Sequence, residues 1–169
     1  MRKLLSIMAA LIIIVLLTLA LFYFISGGPS TIVSHVTINK PPDVVFNYIS
    51  DMRNELKWNP DVLYMKKTTG GPVGLGTRFR AKWHMSDTID EQITRFEPSE
   101  GITFENGGPL AVTLKVQLTP VDSATELEAR FIATPHGFLR AIFPIMRTKL
   151  KQQEEENMVN LKRALEASQ

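Results

Sequence analysis

Hydrophobic residues along the chain form one long run at the N-terminus and many short groups after it. The run from Leu4 to Ile25 reads LLSIMAALIIIVLLTLALFYFI and carries no charged residue. As a helix it would rise roughly 33 Å, at about 1.5 Å per residue, which is enough to cross a hydrocarbon core of about 30 Å. We therefore expect a membrane-spanning helix at residues 4–25, within an anchor of residues 1–26 that a linker of residues 27–30 follows.

A cleaved signal peptide is the alternative for this segment. Such peptides have an apolar core of about 7–15 residues that ends in a small-x-small cleavage site. Here the run is longer, and Phe22, Tyr23 and Phe24 stand where small residues would be expected. We therefore favour a retained anchor. Because Arg2 and Lys3 flank its start, we expect the N-terminus in the cytoplasm and the rest of the chain across the membrane.

After the linker, short groups of alternating apolar and polar positions predict strands. The first strand contains Ile32 and Ile38, and we expect both of its faces to be partly covered. A short helix is predicted to start at Pro41, and Asp51 is expected to cap a second one by accepting a hydrogen bond from a free amide. Further strands are predicted at residues 62–68, 77–84, 87–96, 102–106, 111–118 and 125–133, with Met85 and Ser86 as a tight turn.

Residues 137–167 predict one long C-terminal helix. Its apolar positions return to one face at about 3.6 residues per turn. They are Phe138, Ile142, Met146, Leu150, Met158, Leu161 and Leu165. The charged segment KQQEEEN at residues 151–157 is expected to be exposed, and Pro144 should kink the helix or separate a short turn from it.

The order of these elements is a strand, two short helices, a run of antiparallel strands and one long helix. This order resembles the START-like superfamily, in particular the polyketide cyclase/dehydrase and lipid-transport (SRPBCC) family. The segments that carry the resemblance are INKPPDVVFNYISDMRNELKWNP (38–60), GGPVGLGTRFR (70–80), ITRFEP (93–98), ATELEARF (124–131) and EENMVNLKRALEA (155–167).

The resemblance implies an α+β helix-grip fold for residues 31–169. In that fold a curved antiparallel sheet of about six to seven strands surrounds the long C-terminal helix, and a hydrophobic cavity lies between them. The N-terminal membrane helix departs from the usual soluble members of the family.

Strand alternation predicts which side chains face this cavity. Phe79 and Trp83 share one face of their strand, opposite Arg78 and Arg80, so the aromatic side chains should point inward. The candidate ligand-binding residues are Trp58, Phe79, Trp83, Ile93, Phe104, Leu114, Phe131, Ile142 and Met146. For Trp58 the alternatives are a place at the cavity mouth and simple packing beside a loop, which is the commoner role.

Glu91 is the odd member of an inward face, since it lies between Ile89 and Ile93. A buried carboxyl at this place would have a raised pKa and could act as a general acid. The interpretation we favour instead puts Glu91 near the sheet rim, where it reaches water or an arginine. Asp51 is likewise interpreted as a helix cap rather than a catalytic acid.

Composition and motifs exclude several function classes. The 19 basic and 17 acidic residues give a formal net charge of +2 without a basic stripe, so we expect no nucleic-acid partner. The chain has no cysteine and no GxSxG motif, which excludes the usual thiol and serine nucleophiles. The three histidines lie far apart, so we expect no metal site, and no cofactor motif is present.

Two function classes remain. In the first, which we favour, the domain binds a lipid or another hydrophobic small molecule near the membrane and breaks no bond. In the second, it is a small cyclase, dehydrase or hydrolase-type enzyme on an apolar substrate, with Glu91 as the candidate catalytic residue. A third possibility, a scaffold in a membrane complex, predicts a filled interior.

Overall fold

The protein combines an N-terminal apolar helix with one antiparallel sheet and a long C-terminal helix. A computed structural model describes residues 2–25, 28–84 and 86–167, so Ser26 of the predicted anchor, Gly27 of the predicted linker and Met85 of the predicted turn lie outside the described residues. The elements in chain order are α1 (Arg2–Ile25), β1 (Ser30–Ile38), α2 (Pro42–Ser50), a 3₁₀ helix (Met52–Lys57), β2 (Val62–Lys67), β3 (Arg78–Trp83), β4 (Ile89–Glu97), β5 (Gly101–Asn106), β6 (Leu110–Val121), β7 (Ala124–Pro135) and α3 (Leu139–Ala167).

The seven strands form a single sheet in the order β1-β7-β6-β5-β4-β3-β2. Strands β2 to β7 follow one another as antiparallel neighbours, while β1 pairs with β7 at the far edge. Register shifts between Val62 and Tyr64 and between Ile93 and Arg95 add local bends to β2 and β4. The sheet curls around α3, and the helix-grip fold expected from the sequence is confirmed.

Strand alternation places the core as predicted on β3 but not on β1. On β3 Phe79 and Ala81 are fully buried, whereas Arg78 and Arg80 are exposed. On β1 the prediction that both faces are partly covered is wrong, because Thr31, Val33, His35 and Thr37 on one face are all exposed. Helix α3 packs against one face of β1, and solvent reaches the other.

The two short helices begin where the sequence predicts. Pro41 precedes the first residue of α2, where the missing backbone N–H costs no hydrogen bond. Asp51 caps the 3₁₀ helix, since its Oδ1 accepts a hydrogen bond of 3.1 Å from the Arg53 backbone N–H. The predicted capping role of Asp51 is confirmed.

The C-terminal half of α3 packs against the sheet. Met158, Leu161 and Leu165 are buried there. The Lys162 ammonium donates to the Thr37 carbonyl over 2.8 Å, so the end of α3 is also hydrogen-bonded to β1. The helix runs without a break from residue 139 to residue 167, which rules out a separate turn before Pro144.

The N-terminal half of α3 differs from the prediction. Phe138 is 68% exposed and precedes the helix, and Ile142 and Met146 are only half-buried. Ala141 and Phe143 are the buried residues instead. Helical spacing predicts that one face of the helix is covered. In this apolar segment, however, more than one set of positions repeats at 3.6 residues per turn, so the spacing alone does not identify the covered face.

Helix α1 is apolar along its whole length. Its segment Arg2–Phe24 has 23 residues with a mean hydropathy of 3.0, and none of it is buried inside the protein. The helix is therefore long and apolar enough to span a membrane, a property that signal sequences share. Near its end the Arg140 guanidinium of α3 lies 4.5 Å from the centre of the Tyr23 ring.

Candidate functional site

A cavity of about 120 Å³ lies between the concave face of the sheet, the two short helices and α3. Packed interiors contain few voids larger than a water molecule, so a space of this size inside a small domain is unusual. The scaffold alternative predicts a filled interior and does not account for it.

The sheet supplies an apolar wall for the cavity. Phe104 comes from β5, Leu114 and Val116 from β6, and Leu127 and Phe131 from β7. These side chains point inward because they occupy alternate positions of their strands. They form the largely apolar type of surface that binds hydrophobic ligands in proteins.

Three carboxyl groups from three different elements reach the same cavity. Glu55 comes from the 3₁₀ helix, Glu91 from β4 and Glu154 from α3. The charges of Glu91 and Glu154 both raise the pKa of Glu55, so Glu55 interacts with each of them. Buried like charges destabilise each other, which favours protonation of at least some of them.

Glu91 is 8% exposed and faces the interior of the sheet. Its Oε1 accepts a hydrogen bond of 2.8 Å from the Asn106 side-chain amide, and no arginine contacts it among the described residues. Burial raises the pKa of Glu91 to about 6, although the Asn106 hydrogen bond acts in the opposite direction. The favoured interpretation put Glu91 near the sheet rim, in reach of water or an arginine; instead the residue is buried, and its partner among the described residues is the Asn106 amide.

Glu55 has the most strongly perturbed carboxyl of the cavity. Burial raises its pKa to about 8, the charges of Glu91 and Glu154 add to this rise, and hydrogen bonds with Trp83 and Asn59 oppose it. Within the described part of the chain its buried Oε2 atom has no hydrogen-bond partner. A buried oxygen without a donor is costly unless it is protonated or a ligand supplies the donor.

Glu154 lies on α3, inside the segment that was expected to be exposed. Burial raises the pKa of its carboxyl to about 7. Asn157, one turn further along the same face, is 5% exposed and also lines the cavity. The expectation that the whole of residues 151–157 is exposed is therefore wrong, because this face of α3 covers the cavity.

The structure brings only part of the predicted ligand-binding set together. The predicted residues that line the cavity are Trp58, Trp83, Phe104, Leu114 and Phe131, together with Glu91. Phe79 and Ile93 are fully buried in the packed core beside it, and neither lines the cavity. Ile142 and Met146 lie in the N-terminal half of α3 and do not line it either.

Glu55, Glu154 and Asn157 are cavity residues that the sequence reasoning missed. The apolar stripe of α3 from Leu150 to Leu161 passes through positions 154 and 157 at helical spacing. A polar residue inside such a stripe faces the same side as its apolar neighbours. The helical spacing therefore indicated that Glu154 and Asn157 face the sheet, but it gave no indication for Glu55.

The histidines lie at the surface rather than in the cavity. His35 Nδ1 is 3.8 Å from a Glu128 carboxylate oxygen, and His84 Nδ1 is 3.8 Å from Asp61. Among the described residues no group of three or more His, Asp or Glu side chains could hold a metal ion.

Solved structures share this architecture at low sequence identity. TTHA0849 from Thermus thermophilus superposes with a TM-score of 0.68 and 13% identity, over 82% of this chain and 99% of that one. MLL2253 from Mesorhizobium loti gives 0.64 and 15%, over 83% of this chain and 99% of that one. The di-domain ARO/CYC StfQ from the steffimycin biosynthetic pathway gives 0.65 and 15%, over 81% of this chain and 51% of that one.

The curled sheet, the long helix and the cavity between them define a helix-grip protein with a ligand-binding fold. Residues 30–166 match the sequence profile of the family described as polyketide cyclase / dehydrase and lipid transport, and the chain belongs to that family. No curated protein matches the chain in sequence.

Proposed function

We propose that this protein is a membrane-anchored binder of a hydrophobic small molecule or lipid-like ligand. The observation that carries the proposal is the cavity of about 120 Å³ with an apolar wall on the sheet side. An unfilled apolar space lowers the stability of a domain, and its retention is explained if a ligand occupies it.

The size of the cavity limits what it can enclose. A volume of about 150 Å³ holds a single benzene ring, whereas pockets for drug-sized ligands have about 300–1,000 Å³. A cavity of about 120 Å³ therefore accepts a small molecule or one segment of a larger one. A lipid would insert one segment, and the helices that cover the cavity would move to admit more.

The anchor is the second part of the proposal. Helix α1 stays attached and spans the membrane, with Arg2 and Lys3 on the cytoplasmic side. Few residues separate the end of α1 at Ile25 from the start of β1 at Ser30, so the domain of residues 31–169 lies close to the opposite membrane surface. In that position the cavity meets ligands that dissolve in the bilayer.

Native mass spectrometry with lipid extraction tests this function on the full chain, purified in a mild detergent from its own cells. We expect a molecule that co-purifies at a near-stoichiometric amount. Phe131→Glu puts a charge into the apolar wall and should abolish the retention, while Val33→Glu on the exposed face of β1 serves as the control. A stable protein that carries no such molecule contradicts the proposal.

A second candidate function is acid–base catalysis on an apolar substrate in the same cavity. The observation in its favour is that Glu91 and Glu154 have pKa values raised to about 6 and about 7, which suit proton transfer near neutral pH. Glu91→Gln separates the two candidates once a substrate is known. An enzyme would lose turnover while it retained binding, whereas a binder would have no turnover to lose.

A further inference from the structure

The charges around the cavity all have the same sign. Its described lining includes the carboxyl groups of Asp51, Glu55, Glu91 and Glu154 and contains no lysine, arginine or histidine. Arg53 pairs with Asp51 over 2.6 Å, so that carboxylate is already neutralised. No basic side chain forms an ion pair with the other three carboxyls among the described residues.

Aromatic side chains line the same space. Trp58 and Trp83, the two tryptophans of the chain, both contact the cavity together with Phe104 and Phe131. The negative face of an aromatic ring attracts cations, and tryptophan does so most strongly. Carboxyl groups and aromatic rings around one cavity are therefore complementary to a cation that carries an apolar body.

The buried Oε2 atom of Glu55 points to the same kind of ligand. It is inaccessible to solvent and has no donor among the described residues, although its residue lines the cavity. An N–H group of a ligand would supply that donor. A metal ion is a poor fit, because the described acidic residues do not form a metal-binding group.

We propose that the ligand of this cavity is an organic cation, such as a protonated amine on a small aromatic or aliphatic body, with its ammonium group between Glu55, Glu91 and Glu154. This inference rests on the proposed binding function and names its ligand class. Burial raises the pKa of all three carboxyls, which means that their ionised forms are costly in the cavity. A bound ammonium group would offset that cost by pairing with the ionised carboxyls.

Three small compounds of similar shape and different charge test the ligand class. The full chain in dodecyl maltoside micelles is titrated at about pH 8 with benzylamine, benzyl alcohol and benzoate, and the fluorescence of Trp58 and Trp83 reports binding. We expect benzylamine to bind at least about tenfold more tightly than benzyl alcohol, because charge-assisted hydrogen bonds are about twice as strong as neutral ones. Benzoate should bind most weakly.

Variants then assign the preference to the carboxyls. Glu91→Gln and Glu154→Gln should each weaken benzylamine binding by about tenfold and leave benzyl alcohol binding unchanged. Glu105→Gln removes the same charge from an exposed position on β5 and should change neither.

The outcomes separate the two proposals. Equal or tighter binding of benzyl alcohol or benzoate overturns the ligand class and leaves the binding function standing. No binding of any of the three compounds overturns the ligand class, while the binding function is decided separately by whether a molecule co-purifies in the mass-spectrometry experiment. The charge series on the unchanged protein decides the question even where a variant fails to fold.

Discussion

Asn106 and Glu91 lie directly opposite each other on β5 and β4, and the Asn106 side-chain amide donates a hydrogen bond of 2.8 Å to the Glu91 carboxyl. The Oδ1 atom of Asn106 accepts the Val112 backbone N–H over 3.0 Å. Because that bond fixes the orientation of the amide, the NH₂ group is held toward Glu91. The sheet itself therefore positions one carboxyl of the cavity.

Asn106→Leu tests this positioning. The substitution removes the donor while it keeps a side chain of similar size, so the pKa of Glu91 should rise above about 6. The unfolding free energy should fall by about 1–3 kcal/mol, because the Val112 N–H and the Glu91 carboxyl both lose a partner. Carbon-13 NMR titration of the Glu91 carboxyl and thermal unfolding measure the two effects. An unchanged Glu91 pKa would show that the amide does not influence it.

The raised pKa values predict that the cavity carboxyls destabilise the fold as the pH rises. The folded state of Glu91 holds its proton up to about pH 6, whereas the unfolded chain releases it near the usual value of 4.5. The free-energy cost of ionising the buried Glu91 carboxyl is absent below the usual pKa of 4.5 and complete above about pH 6. A rise of the pKa from 4.5 to about 6 corresponds to about 2 kcal/mol.

Glu91→Gln should therefore raise the unfolding free energy at about pH 8 by up to about 2 kcal/mol and change it less near pH 4. Denaturant unfolding of the full chain at a series of pH values measures the difference between variant and wild type. Glu105→Gln is the matched control, since it removes a charge from an exposed side of the neighbouring strand. A stabilisation that does not depend on pH would contradict the raised pKa.

Phe79 and Phe131 separate the packed core from the cavity wall. Phe79 is fully buried in the core, so Phe79→Ala should lower the unfolding free energy by about 3–5 kcal/mol. Phe131 is half-buried and borders the cavity, so Phe131→Ala removes fewer packing contacts and should cost less. Chemical denaturation compares the two variants. An equal cost would show that the wall at Phe131 is as tightly packed as the core.

The sequence predicted the parts of the fold that depend on local patterns. The Pro41 helix start, the Asp51 cap and the alternation around Phe79 follow from properties of a few consecutive residues. Strand alternation also predicted inward positions for Leu114 and Phe131, and both side chains line the cavity. Each of these predictions needs only the period of a strand or the chemistry of a helix end.

The composition of the site could not be predicted in the same way. Glu55, Glu91 and Glu154 come from a 3₁₀ helix, a strand and a helix that lie far apart in the sequence. Their meeting depends on how the 3₁₀ helix and α3 pack against the sheet, and the apolar spacing of α3 indicates only which way Glu154 faces. A run of charged residues is usually solvated, and here that general expectation concealed the inward-facing Glu154.

The orientation of the anchor gives the last prediction. Alkaline phosphatase fused after Gln169 is active only outside the cytoplasm, so we expect an active fusion. The mass of the purified protein should also include residues 1–25, since α1 is not cleaved off. Replacing Arg2 and Lys3 by glutamate should reduce the phosphatase activity, because the positive charges that hold the N-terminus in the cytoplasm are lost.

Lys66→Glu with Lys115→Glu is the control for this experiment, because both lysines are exposed and lie too far from α1 to influence its insertion. The control should keep full phosphatase activity. A mass that lacks the N-terminal residues would identify α1 as a cleaved signal sequence, and the domain would then be free of the membrane. An inactive wild-type fusion on an intact chain would instead put the cavity on the cytoplasmic side, where ligands reach it from the opposite leaflet.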